Sequence, residues 1–178
     1  MGTHIALLRG VNLGGKNRLP MKDLATMFTD AGCGSVATYI QSGNVVFEAK
    51  AALVRLLPAL IEKAIADRFG YRVPVMTRTG AELVRIVRGN PFLRSGADPR
   101  TLHVAFLGAA PAAARVKALD PGRSSPDAFA VRGREIFLHC PNGFGRTKLT
   151  NAYFDSKLGT TSTVRNWKTV ETLLDLTT

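Results

Sequence analysis

Hydrophobic positions along the chain change between an alternating period and a helical period, and the changes follow a regular order. In the first half, alternating or β-branched runs predict strands, and apolar residues three or four apart predict helices. The predicted segments are a strand over residues 3–9, a helix over 20–31, hairpin strands over 36–41 and 45–48, a helix over 53–69, a strand over 71–77 and a helix over 81–88. The resulting order is β-α-β-β-α-β-α.

The same order returns from residue 101. The stretch LHVAFLGA at 102–109 parallels HIALLRG at 4–10. The further predicted segments are a helix over 112–119, hairpin strands over 128–132 and 135–139, a helix over 148–158, a strand over 161–165 and a helix over 167–176. The pattern predicts an α+β fold made by tandem duplication of ferredoxin-like βαββαβ units, each followed by a helix. We expect the first ferredoxin-like subdomain over 1–92, the connection over 93–100 and the second subdomain over 101–178.

The two predicted central strands, residues 3–9 and 102–107, are apolar on both faces. A strand of this kind is expected to be covered on both sides. RNA-reading sheets instead expose aromatic side chains that stack on bases, and the only candidates here are Phe47, Phe106 and Phe137. RNA recognition on a sheet face is therefore disfavoured.

The predicted topology brings distant polar loops together. In the first half, RGVNLGGKNR and QSGN share one end of the sheet; in the second half, CPNGFGRTK and VRNW share one end. Loops on a rigid scaffold are where binding residues are commonly found. A head-to-tail arrangement of the halves would place both clusters along one cleft, which is a hypothesis.

Charge narrows the range of partners. The 178 residues include 24 Lys and Arg against 13 Asp and Glu, a net charge of +11, which favours nucleic acid, nucleotides or other anions. An Arg-rich, solvated surface without a ligand explains the same excess. There is no apolar run of about 18 residues and no secretory leader, so we expect a cytoplasmic protein that does not enter a membrane. Cys33 and Cys140 lack metal-site or disulfide spacing and are expected to be reduced thiols.

Glycines and basic residues of the first loop suggest anion binding. Gly14 and Gly15 can expose backbone N–H groups, while Arg9 and Lys16 add positive charge. The alternative is a structural turn in which asparagines satisfy the loop's backbone. The same two alternatives apply to the hairpin residues Gln41, Ser42 and Asn44, which either contact a ligand or stabilise a tight turn.

The second loop offers a similar set. Arg146, Thr147 and Lys148 lead into a predicted helix, but the GxxxxGK[ST] phosphate loop is not satisfied; Thr147 is alternatively a helix cap. Arg165 ends an apolar strand, either on the surface or as an anion clamp, and Asn166 suits the N-cap of the last helix. The predicted ligand-binding residues are Arg9, Asn12, Gly14, Gly15, Lys16, Asn17, Gln41, Ser42, Asn44, Arg146, Thr147, Lys148, Arg165 and Asn166.

Two functional classes remain open beside a purely structural or partner-binding role. The first is a module that binds a phosphorylated, nucleotide or nucleic-acid ligand. The second is an enzyme acting on such a ligand, with Ser42 or Thr147 taking part. No metal site, cofactor motif or general base is recognisable, so the binding module is favoured.

Three stretches, LLRGVNLGGKNRLPM, TYIQSGNVVF and GFGRTKLTNAYFDSKLGTTSTVRNWKTV, resemble the bacterial family catalogued as domain of unknown function 1697. The resemblance implies an α+β fold and a soluble bacterial protein. It transfers no catalytic residues. Family members commonly have Ser where this chain has Thr147, which preserves the hydroxyl group.

Overall fold

The computed structural model describes the whole chain, residues 1–178, and the chain folds into two compact units. The first unit comprises Met1–Val84 together with Leu173–Thr178, and the second comprises Arg85–Thr172. The fold is mixed α/β, with two four-stranded antiparallel sheets. None of the helices combines the length and apolar composition that a bilayer crossing requires.

The strands of the first sheet lie in the order β2-β3-β1-β4. The elements up to the division between the units are β1 (Gly2–Leu8), α1 (Met21–Asp30), β2 (Gly34–Tyr39), β3 (Asn44–Ala49), α2 (Ala51–Phe69), β4 (Val75–Thr79) and α3 (Gly80–Arg88), the last of which runs across the division. Pro74 precedes β4, which is an edge strand, so the proline removes no hydrogen bond from the sheet interior.

The second sheet has the order β6-β7-β5-β8. The elements are α4 (Pro91–Arg94), β5 (Leu102–Leu107), α5 (Ala113–Lys117), β6 (Ala128–Arg132), β7 (Glu135–His139), α6 (Asn151–Leu158), β8 (Ser162–Asn166) and α7 (Trp167–Thr177). The predicted order of strands and helices is confirmed, with α4 added at residues 91–94, where the segment expected to connect the halves begins.

Hydrogen-bond registers of the central strands are congruent in the two sheets, whereas the β2–β3 ladder has a register shift between Gly34 and Ala37 that the β6–β7 ladder lacks. On β1, His4 lies opposite Thr79 of β4 and Phe47 of β3. On β5, His103 lies opposite Asn166 of β8 and Leu138 of β7. The same correspondence holds for each following residue of β1 and β5 in both ladders. The central strands of the two units therefore share their pairing register as well as their strand order.

Each sheet packs one face against its own helices. In the first unit, Ala6 and Phe47 of the sheet join a core with Phe28 of α1 and Ile61 of α2. In the second unit, the corresponding core includes Ala105, Leu138, Phe154 and Leu158. Burial of such side chains contributes about 1.5–3 kcal/mol each, which makes these cores the main source of stability.

The opposite faces of the central strands are buried as well. Ile5 and Leu7 are fully buried, as are Val104 and Phe106, and the expectation of two covered faces is confirmed. The aromatic candidates for base stacking, Phe47, Phe106 and Phe137, are at most 3% exposed, so they offer no platform to RNA.

The hairpin between β2 and β3 differs from the predicted tight turn. Tyr39 pairs with Asn44, so the loop contains four residues, 40–43, rather than the three, 42–44, that the predicted strands leave between them. Gly43 has φ +80°, and a Cβ built there would lie 2.7 Å from Leu8 Cβ and 2.9 Å from Val11 Cγ2. The backbones of Leu8 and Gly43 are also in contact, because Leu8 N donates to Gly43 O at 2.8 Å.

We expect Gly43→Ala to lower the free energy of unfolding by about 2–4 kcal/mol, because it adds a steric clash to an unfavourable φ. Gly70 is a matched control, with φ +78° and nothing within 4 Å of a built Cβ. Gly70→Ala should cost only about 1–2 kcal/mol. Urea denaturation of both variants measures the difference, and equal losses would show that the close approach at Gly43 contributes nothing.

Candidate functional site

The glycine-rich loop after β1 folds back on itself over residues 11–18, where a single β-bridge joins Leu13 and Lys16; this segment is called the basic ribbon below. Asn12 N donates to Asn17 O at 3.1 Å and Lys16 N donates to Leu13 O at 2.9 Å. Gly14 and Gly15, with φ of +54° and +77°, form the turn at its tip. Two successive residues with positive φ are typical of a type I′ turn, so these glycines have a structural role.

Two asparagines hold the basic ribbon in place. The Asn12 side chain donates to Leu19 O at 2.9 Å and to Gln41 O at 2.7 Å, and accepts from Leu19 N at 2.8 Å. Asn17 Nδ2 donates to Gly10 O at 3.0 Å. Both amides therefore satisfy backbone groups, and Asn12 joins the loop after β1 to the β2–β3 hairpin, as the topology predicted.

Asn44 lies at the same end of the sheet, in the interior of the unit. It is fully buried, and its Nδ2 donates to Tyr39 O at 3.1 Å and to Ser42 Oγ at 2.9 Å. Gln41 is exposed and reaches the cluster through its carbonyl oxygen. The polar residues predicted for the first unit thus come together, and most of their hydrogen-bonding groups stabilise the loops themselves.

In the second unit, two loops enclose an open pocket of about 400 Å³, called the basic pocket below. One loop lies between α5 and β6 and the other between β7 and α6. The pocket is lined by Gly122, Arg123, Ser124, Ser125, Pro126, Asp127, Asn142, Gly143, Arg146 and Lys148. Three cations and one carboxylate line it, so its charge is predominantly positive.

Ser124 is the residue through which the two loops are joined. Its Oγ accepts from Lys148 N at 2.9 Å and donates to Asp127 Oδ2 at 2.8 Å. Thr147 Oγ1 lies 3.4 Å from the same oxygen and accepts from Leu149 N at 3.1 Å. These contacts fix the backbone on both sides of the pocket.

Arg123 is oriented before any ligand arrives. Its Nε donates to Lys148 O at 3.0 Å, and its guanidinium carbon lies 3.9 Å from the centre of the Tyr153 ring. A cation over an aromatic face is stabilised by the ring quadrupole. Arg146 and Lys148 are exposed at the rim and pair with no carboxylate.

A buried thiol lies beneath the pocket. Burial raises the pKa of Cys140 to about 11; the nearby Asp127 charge adds to the rise, and a hydrogen bond with Thr147 opposes it. The thiol is therefore protonated at neutral pH, and protonated thiols are poor nucleophiles and poor metal ligands. No group of three or more His, Cys, Asp or Glu side chains is arranged to hold a metal ion.

Arg165 and Asn166 do not line the basic pocket. Arg165 is 7% exposed, and its guanidinium donates to Thr163 Oγ1 at 2.8 Å and to Val164 O at 2.9 Å; burial lowers its pKa to about 10. Asn166 Oδ1 accepts from Thr169 N at 2.8 Å, which confirms it as the cap of α7.

The prediction of Thr147 as a helix cap is wrong. The helix begins at Asn151, and the capping hydroxyl is that of Thr150, which accepts from Tyr153 N at 3.2 Å. Residues Phe144–Arg146 form a single 3₁₀ turn instead. Thr147 remains at the pocket through its contacts with Ser124 and Cys140.

Sequence reasoning missed the loop that supplies Arg123, Ser124 and Asp127. Its stretch DPGRSSPD is rich in turn-forming residues and holds two types of charge between predicted elements, which marks it as a polar loop. Nothing local indicates that it lies against residues 142–148. The shared cleft between Lys16 and Arg146 stays a prediction, because these residues belong to separate units.

The chain belongs to the family described as "Protein of unknown function (DUF1697)", whose model matches residues 1–137. The match includes two of the three stretches that carried the resemblance and ends before the third. It also divides the basic pocket, since residues 122–127 fall inside and 142–148 outside. No curated protein matches the chain.

Among solved structures, the conserved bacterial protein SP0830 from Streptococcus pneumoniae is similar, with a TM-score of 0.71 and 22% identity over 99% of both chains. At that identity the similarity shows a common fold.

His103 holds the second loop against the start of β5. Its ring stacks on Phe144, with 4.4 Å between centroids and 22° between planes. Burial lowers the pKa of His103 below its ordinary 6.5, and a backbone hydrogen bond at Thr101 opposes the shift. The folded protein therefore binds this proton more weakly than the unfolded chain does.

We expect stability to fall as the pH drops below 6.5, because the unfolded state takes up the proton first. The loss continues down to the folded pKa, and above pH 6.5 this group adds no pH dependence. His103→Phe, which retains the ring contact, should flatten the curve of unfolding free energy in that window. An unchanged slope in the variant would contradict the assignment to His103.

Proposed function

We propose that the protein binds a small anionic ligand, such as a phosphorylated metabolite or a nucleotide, in the basic pocket. The observation that carries the proposal is the placement of Arg123, Arg146 and Lys148 around one cavity of about 400 Å³ with a single carboxylate. A cavity of this size suits a small molecule, and charge-assisted hydrogen bonds are the strong ones in recognition of phosphate.

The state of Arg123 supports the proposal further. Because its guanidinium is held by Tyr153 and by Lys148 O, little side-chain entropy is lost when it binds a ligand. The only carboxylate, Asp127, is engaged by Ser124. A bound anion would therefore contact the oriented guanidinium of Arg123, while the carboxylate of Asp127 is held by its hydrogen bond with Ser124.

Three further proposals concern the duplication of the fold, the limits of the subdomains and the location of the protein in the cell. We propose that the two units arose by duplication of a ferredoxin-like βαββαβ unit, supported by their matching strand order and hydrogen-bond register. We propose the subdomain limits 1–92 and 101–178, with 93–100 between them. We propose a cytoplasmic location, on the sequence grounds given above.

Ligand binding is tested by thermal unfolding with inorganic phosphate and with nucleoside monophosphates. We expect the wild type to be stabilised, because a ligand of the folded state shifts the unfolding equilibrium. Arg146→Ala and Lys148→Ala should each weaken binding about tenfold or more, the effect of losing one charged hydrogen bond.

Lys117→Ala is the matched control, since Lys117 is an exposed cation of the same unit outside the pocket. It should leave the ligand effect unchanged. An equal loss in all three variants would mean general electrostatic attraction, and no shift with any anion would contradict the proposal in favour of a structural or partner-binding role.

The second candidate function is an enzyme acting on a phosphorylated small molecule. It is favoured by Asp127, a carboxylate inside the basic pocket that supplies the general base not recognisable in the sequence. In hydrolysis of a phosphomonoester, a bond forms between the water oxygen and phosphorus while the bond between phosphorus and the ester oxygen breaks. Asp127 would accept a proton from the attacking water and return it to the departing ester oxygen, and the cations would stabilise the charge on the phosphoryl oxygens. The products are inorganic phosphate and the free alcohol.

Asp127→Asn separates the two functions. The amide oxygen still accepts from Ser124, but the negative charge is lost, so we expect phosphate to bind about fivefold more tightly. If the protein is an enzyme, the same variant should lose release of phosphate from a chromogenic phosphomonoester. A wild type that binds phosphate and releases none would exclude this second function without affecting the first.

A further inference from the structure

The basic ribbon combines positive charge with an exposed apolar tip. The stretch RGVNLGGKNRLPMK, residues 9–22, contains four basic residues and no acidic one. Lys16 and Arg18 are exposed and pair with no carboxylate, and Leu13 beside the turn is 62% exposed. A large aliphatic side chain exposed on a ribbon whose charge is entirely positive suits an anionic partner that also presents apolar surface.

The ribbon is rigid compared with an ordinary loop. Its two arms are joined by two backbone hydrogen bonds around one β-bridge, and its base is held by the amides of Asn12 and Asn17. The Tyr71 hydroxyl also donates to Arg18 O. A ribbon already in one conformation loses little entropy on binding.

A second exposed aliphatic side chain lies at the same end of the sheet. Ile40, 49% exposed, precedes Gln41, whose carbonyl oxygen accepts from Asn12 Nδ2 at 2.7 Å. Asn12 in turn precedes Leu13. The hairpin of residues 40–43 therefore supports the ribbon and widens the surface that a partner would meet.

We propose that the basic ribbon docks into a groove of duplex DNA, with Leu13 against the bases and Lys16 and Arg18 on the flanking phosphates. The major groove of B-form DNA is wide enough for a two-stranded β-ribbon, so it also admits this smaller turn closed by one β-bridge. Proteins also place leucine and isoleucine side chains against or between base pairs. The amides of Asn12 and Asn17 are used within the ribbon, and Lys16 and Arg18 are assigned to phosphates, so we expect binding that depends little on base sequence.

The composition of the ribbon favours DNA over a lipid surface. Binding at a membrane interface grows with the apolar area that is buried, and one leucine with one isoleucine supply little. Single-stranded nucleic acid is also disfavoured, because its bases bind by stacking on aromatic side chains and the ribbon has none. The proposal is independent of ligand binding in the basic pocket of the second unit.

The test is fluorescence anisotropy of a labelled duplex DNA at several salt concentrations with the full chain. Lys16→Ala/Arg18→Ala should reduce the slope of log affinity against log salt by about 1.8, the value for two lost phosphate contacts. Leu13→Ser should weaken binding by about tenfold and leave the salt slope unchanged.

Lys50→Ala/Arg55→Ala is the matched control, because it removes the same charge from exposed positions at and in α2. It should retain the wild-type slope. Inorganic phosphate should stabilise Lys16→Ala/Arg18→Ala as much as the wild type, which separates this proposal from the one for the basic pocket.

Three results would overturn the proposal: equal effects of both double variants, affinity for a single strand equal to that for the duplex, or ribbon-dependent binding to vesicles of anionic lipid without binding to DNA. Thermal unfolding of each variant establishes that it is folded. We expect no change at these positions, since their side chains are exposed.

Discussion

The hydrogen bonding of β1 and β5 on both sides is the constraint on which the rest of the structure depends. Each is a central strand with an antiparallel neighbour on either edge, and each is buried on both faces. A one-residue slip in either ladder would exchange the side chains packed on the two buried faces, and close-packed faces do not accept such an exchange, so the register is strongly specified. The fixed register in turn sets where each loop leaves the sheet. Leu8 N to Gly43 O and Cys140 N to Thr101 O, at 2.8 and 2.9 Å, attach the loops of both candidate surfaces to these ladders.

Alternation and helical spacing predicted the elements well because the ladders and cores follow those periods. The hairpin strands Ala128–Arg132 and Glu135–His139 begin and end where predicted. Predictions failed where several polar residues compete for one role: Thr147 and Thr150 are both able to cap, and only the path of the preceding loop decides that Thr150 does. Only one of the two loops that form the basic pocket, residues 142–148, was predicted, for a related reason. Its bond between Lys148 N and Ser124 Oγ spans 24 residues, and no local pattern records a contact of that separation.

Neutral amides and hydroxyls satisfy much of the backbone of both loop clusters, so that Lys16, Arg18, Arg146 and Lys148 stay exposed, while Arg123 itself donates to Lys148 O. Asn12 and Asn17 hold the basic ribbon, while Ser124 and Thr147 hold the basic pocket. If Lys16 or Arg146 had to serve the loop backbone instead, its charge would be directed inward. Asn12 and Asn17, predicted as ligand contacts, therefore fix the positions of neighbouring charges.

The two units agree in register and differ in their loops, and each candidate surface lies where they differ. Between β1 and α1 the first unit has residues 9–20, whereas the second has only 108–112 between β5 and α5. Between β7 and α6 the second unit has residues 140–150, whereas Lys50 alone separates β3 from α2. A scaffold tolerates insertions at its loops with little loss of stability, and loops are where new binding properties arise. The two extended loops leave opposite ends of their own sheets, one after the first strand of its unit and one after the third, so the two candidate surfaces do not occupy equivalent positions in the matching strand order.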